Sequence, residues 1–182
     1  MLAHLTALAG IAGAAVAQPV EINFDDLASN TIVTNQYPEA TFSSVAGVDN
    51  MAFGFATADT PPNILCTPGC LEDTYVDFTN PVNDLSFWAI EANVAGVTAQ
   101  FNVFENGALS GTVDLVSSGG IGNNEFVDLS SFSNVTRVEI VNILNDAGNE
   151  NGIGWDTFRF TVIPAPGALA AIALALIFTR RR

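Results

Sequence analysis

A two-residue turn signal near the middle of the chain constrains the fold most. Asn106-Gly107 is flanked on both sides by runs in which apolar residues recur at every second position. Before it Val97, Ala99, Phe101 and Val103 alternate with Thr98, Gln100 and Asn102. After it Leu109, Val113 and Leu115 alternate with Ser110, Thr112 and Asp114. A period of two puts alternate side chains on opposite faces of an extended strand. Asn-Gly readily takes the left-handed backbone that a type I′ turn needs at both central positions. The stretch therefore reads as an antiparallel hairpin with one buried and one wet face.

The same grammar runs through the chain. Segments rich in Val, Phe, Thr and Ile, separated by Asn, Gly, Asp and Ser, predict strands over 20–25, 31–37, 40–45, 51–55, 74–78, 84–91, 96–104, 108–115, 125–129, 135–142 and 154–162. From Leu85 to Ile90 both parities are apolar, which predicts a strand covered on both faces. No helix-period segment of useful length lies outside the two chain ends. The expected fold is all-β: an antiparallel two-sheet β-sandwich of jelly-roll type, with a helical hydrophobic segment at each terminus.

Those two ends read as targeting segments. Residues 1–17 have an apolar core and finish Ala15-Val16-Ala17, a small-x-small cleavage pattern, so a signal peptide is expected with Gln18 opening the mature chain. Its amino-terminal region lacks Lys and Arg, and only His4 could carry positive charge. At the other end Pro164-Ala165-Pro166-Gly167 breaks the chain, an apolar run follows from Ala168 to Phe178, and Arg180, Arg181 and Arg182 close it. A helix over that run would be roughly 16 Å long at 1.5 Å per residue, against about 30 Å of bilayer core. Spanning requires local thinning or snorkelling arginines, and the arginines predict a cytoplasmic carboxyl end.

This order of parts resembles a PEP-CTERM sorting signal, with Ala165 where the eponymous motif has Glu. The resemblance covers the last 20 or so residues. It implies an exported protein held in the inner membrane by the tail. It also implies an exosortase-type membrane protease as partner, cutting near Pro164 and Pro166 and passing the chain to the cell surface or extracellular matrix. Three parts follow: a signal peptide over 1–17, a β-sandwich ectodomain over 18–163 and a sorting tail over 164–182.

Charge and residue usage exclude several functions. The ectodomain carries Arg137 and Arg159 against all 19 acidic residues, a net −17, and the chain has no lysine. Such a surface repels the phosphates of nucleic acid. His4 is the sole histidine and leaves with the signal peptide. Histidine-based triads and Schiff-base chemistry are thereby excluded from the mature chain. Carboxylate chemistry of the glycosidase kind survives, but it needs two acids across a cleft. Asp25 with Asp26, and Glu72 with Asp73, are sequence neighbours that point to opposite faces when extended. The chain is read as a non-enzyme.

Three sets of residues are candidates for more than packing. Cys66 and Cys70, in a Pro/Gly-rich stretch, predict a disulfide pinning a loop in an oxidising compartment. Asp26 continues the parity of Val20, Ile22 and Phe24, and Asp156 precedes Phe158, Phe160 and Val162 on theirs. If the first and last strands are antiparallel neighbours, the two carboxylates meet. Asp25, Asp26, Asp156 and oxygens of the loop 145–151 would then suit a calcium ion. The competing reading is that both aspartates cap turns through backbone amides. Phe24-Asp25-Asp26 and Gly154-Trp155-Asp156 are also similar to β-sandwich domains found before PEP-CTERM tails, and that similarity implies a structural calcium between the first and last strands. Trp155, off the Phe158/Phe160 parity and beside an Asn-rich loop, is the better ligand candidate, against the favoured reading that it too packs in the core; Trp88, in the most apolar strand, is expected in the core. The functional expectation is a structural or adhesive protein of the envelope or matrix. The alternative is a polysaccharide-binding module of the same fold.

Overall fold

The computed structural model describes residues 17–144 and 152–164. It contains ten strands: β1 (Gln18–Ile22), β2 (Ala40–Ser44), β3 (Met51–Gly54), β4 (Asn63–Cys66), β5 (Thr74–Ile90), β6 (Gly96–Glu105), β7 (Ala108–Ser117), β8 (Glu125–Asp128), β9 (Val135–Val141) and β10 (Gly154–Val162), with one 3-10 turn at Pro68–Cys70. Every pairing between them is antiparallel.

The 17-residue β5 makes two layers out of this one ladder. Its first part, from Thr74 to Phe78, lies between β2 and β9. Its second part, from Val82 to Ile90, lies between β10 and β8. Between them Pro81 lacks an amide donor and the register with β9 shifts, and just inside the second part Asp84 has φ of 54°. The strand thus crosses from a layer of β2-β5-β9-β6-β7 to a layer of β3-β4-β10-β5-β8, with β1 flanking β10.

Aromatic rings fill the space between the layers. Phe101 of β6 meets Phe87 of β5 at 5.3 Å between centroids and Trp155 of β10 at 5.9 Å. Phe42 of β2 meets Phe158 at 5.7 Å, and Phe78 meets Phe160 at 5.1 Å. Most of these pairs are edge-to-face, as ring quadrupoles favour. The sandwich follows from these contacts.

The hairpin around Asn106-Gly107 forms as its sequence requires, with φ of 50° and 81° at the two turn residues. Leu85, Phe87 and Ala89 face the main core, while Ile90 and Trp88 join a smaller cluster on the outer side with Ile64 and Cys66, so this strand is covered on both faces. Two expectations fail. Residues 31–37 make isolated bridges at Ile32 and Tyr37 and no strand. Residues 63–66, framed by Pro61-Pro62 and Pro68-Gly69, do form one, because all four are buried from both sides and pair with β3. The signal peptide and the apolar tail, with the helices expected there, lie outside the described residues. Among the described residues no helix is long and apolar enough to cross a membrane.

Candidate functional site

β1 and β10 are antiparallel neighbours in the register Gln18 with Val162 through Ile22 with Phe158. The side chains beyond that register do not extend its parity. At the start of β10, Thr157 has φ of 49° and the register with β5 slips between Asp156 and Arg159. This bulge inserts one residue and inverts the alternation. Trp155 therefore faces the core with Phe158 and is 1% exposed, packed against Phe87 and Phe101. The reading of Trp155 as a ligand platform is corrected: no face of its ring is free.

Asp156 is turned to the opposite side, where the segment after β3 covers it completely. Its Oδ2 accepts the backbone N–H of Thr60 at 2.9 Å and its Oδ1 that of Thr157 at 2.7 Å. Burial pushes this carboxyl up to about 6; the charges of Asp25 and Asp59 push the same way, and the two amide donors oppose them. At the end of β1, Phe24 has φ of 64° and the chain turns. Asp25 Oδ1 takes the N–H of Asn63 at 3.0 Å, and Asp26 Oδ1 takes the Tyr37 hydroxyl at 2.6 Å. Asp25 and Asp156 are thus within electrostatic reach of each other, while Asp26 is engaged elsewhere. Asp156 accepts backbone amides, one of them local, as the turn-capping reading has it; Asp26 instead accepts a side-chain hydroxyl. Among the described residues no three His, Cys, Asp or Glu side chains converge as a metal group. The loop 145–151, counted among the calcium oxygens, lies outside the described residues.

A concave feature lies on the outer side of the β3-β4-β10-β5 layer. Cys66 and Cys70 form the expected disulfide, with Cα atoms 4.8 Å apart. The loop it closes is fastened to β10's approach by two backbone bonds, Gly152 N–H to Gly69 C=O at 2.7 Å and Ile153 N–H to Cys70 C=O at 3.0 Å. A Cβ on Gly152 would collide with the Cys70 carbonyl, so only glycine permits this approach. Under the loop lies a recess of about 460 Å³, floored by Ile64, Ile90 and Gly154 and rimmed by Phe53, Phe55 and Glu91. Among the described residues that line it, Glu91 is the carboxylate, and it accepts the Asn93 side-chain amide at 2.5 Å.

Farther along the same face Trp88 and Phe126 pair across β5 and β8 with centroids 5.2 Å apart. Phe126 is 51% exposed and Phe53 41%. The indole Nε1 of Trp88 is buried with no partner among the described residues. Trp155 is thus the fully buried tryptophan, while Trp88, expected in the core, packs partly buried in the smaller outer cluster. Phe126 could have been singled out from its parity, opposite to the buried Val127 and Leu129; the recess could not, since its walls come from four separated segments. Arg137 and Arg159 serve structure: Arg159 bonds Glu21 across β1 and β10 at 2.9 Å, and Arg137 bonds Asp77 and Glu139 while lying 5.0 Å over the Tyr75 ring. Of the residues expected to form a sorting motif, Pro164 ends the described residues; Ala165, Pro166, Gly167, Arg180, Arg181 and Arg182 lie outside them.

No protein-family model matches the chain, and no curated protein does. Among solved structures, the K3 cleaved adhesin domain of Lys-gingipain from Porphyromonas gingivalis is similar at 15% identity and a TM-score of 0.31, over 79% of this chain and 91% of that one.

Proposed function

We propose that this chain is an exported, non-catalytic β-sandwich with a structural or adhesive role at the cell surface or in the extracellular matrix. In this reading its carboxyl-terminal segment acts as a PEP-CTERM-like signal: it anchors the chain in the inner membrane and presents it to an exosortase-type protease. The observation that carries the adhesive part is the outer face of the β3-β4-β10-β5-β8 layer, where Phe53 and Phe126 stand exposed beside an apolar recess. Exposed aromatic groups on one face are a contact surface.

A second reading, a carbohydrate-binding module of jelly-roll type, is favoured by Phe126, half exposed beside Trp88, because an exposed aromatic ring suits stacking on a sugar. A glycan array with the exported protein and its Phe126→Ala variant separates the two. Specific binding lost in the variant supports the module. Retention in the envelope or matrix fraction without glycan binding supports the structural role. Turnover of a polysaccharide would overturn both.

A further inference from the structure

We propose that β7 is an assembly edge at which two copies of this chain pair strand to strand, antiparallel. Among the described residues β7 ends the order of its layer and pairs β6 alone, so its other edge presents a row of unpaired backbone donors and acceptors. Natural sheets blunt such edges with lysine, proline, inward charge or short length. β7 has none of the first two, carries Asp114 as its one charge, and is ten residues long. Its ladder with β6 has two register shifts: one at the hairpin end, where Val103 pairs Gly111 but Phe104 pairs Leu109, and one where β6 carries the extra residue, Val97 pairing Val116 and Ala99 pairing Leu115; β7 itself has no inserted residue from Gly111 to Ser117. On that stretch Val116 is 65% exposed.

A second copy is the partner that matches this edge. The flanking strands β1, β2, β3 and β8 have five, five, four and four residues, so no other flanking edge of the described chain offers a strand of equal length. Residues directly opposite in an antiparallel pair share a face. With the two-fold axis at Val113, Asp114 faces the partner's Thr112; with the axis at Thr112, it faces the partner's Ser110. Neither register brings the two Asp114 carboxylates together. The five-stranded layer would continue through the seam into its copy as ten strands. Because the two copies carry like net charge, their association should strengthen with salt, whereas an interface driven by opposite charges weakens.

The test uses the full-length chain in detergent, which accommodates the apolar tail, with sedimentation to read mass and hydrogen exchange to read β7. The expected result is a dimer in which amides within 108–117 gain protection as concentration rises. Thr112→Asp places an added carboxylate opposite Asp114 or opposite itself in the two registers. Its side chain is exposed, and its melting temperature checks the fold. It should raise the dissociation constant at least tenfold, which also separates the β7 seam from any association through the tail. A monomer at concentrations up to about 100 μM, a hundred times a micromolar dissociation constant, would overturn the proposal. So would a dimer indifferent to Thr112→Asp, or one whose β7 amides exchange independently of concentration. Should Thr112→Asp fail to fold, the concentration dependence of β7 exchange in the unmodified chain decides alone.

Discussion

Trp155 and Asp156 are adjacent in sequence, opposite in direction and both fully buried, and their fates follow from one backbone angle at Thr157. Truncating Trp155 to Ala should remove the ring that joins Phe87 to Phe101 and cost about 3–5 kcal/mol of stability, measured by urea denaturation. Loss of ligand binding with unchanged stability would contradict its core position. Asp156 makes stability depend on pH. Its folded pKa of about 6 exceeds the ordinary 3.8, so the folded chain keeps a proton that the unfolded chain releases. Stability should therefore fall as pH rises from about 4 to about 6 and then level. The total is about 3 kcal/mol at 1.36 kcal/mol per unit. Asp156→Asn should flatten that slope; a slope unchanged in the variant would assign it to another group. Since the Asp25, Asp26 and Asp156 oxygens near the turns already hold hydrogen-bond donors, added calcium or EDTA should leave the melting temperature unmoved. A rise with calcium would restore the ion as a bridge.

At the scale of elements, two glycines test two kinds of constraint. Gly107 has φ of 81° with open space around its missing Cβ, so Gly107→Ala should cost only the left-handed backbone penalty of about 1–2 kcal/mol. At Gly152 the added methyl would meet a backbone carbonyl, and Gly152→Ala should destabilise more by breaking the bond from Ile153 to Cys70. Paired chemical-denaturation curves check the order; Gly107→Ala as the costlier change would show that the disulfide loop can move aside. The hairpin was legible because its turn chemistry and both flanking periods agree within about 20 residues of sequence. β4 was not legible. Asn63, Ile64, Leu65 and Cys66 have no alternation because both their faces are covered, and the prolines around them read as loop.

For the whole molecule, the decisive measurement is mass spectrometry of both termini after cell fractionation. Gln18 should open the mature chain, and the carboxyl end should be either the intact Arg182 in the inner membrane or a cut near Pro164 in the envelope or matrix. A full-length chain dissolved in the cytosol with Met1 retained would remove the export reading. The sequence by itself determined the fold class, the turn at Asn106-Gly107, the doubly covered stretch around Phe87, the disulfide and the acidic surface. Each of these depends on composition or on neighbours a few positions apart. Only the tertiary structure decided which tryptophan is buried, where the aspartates point, where β5 changes layers and what walls the recess. A single left-handed residue or bulge reverses every face beyond it, and whether such a residue occurs is settled by packing against distant strands, which no local pattern records.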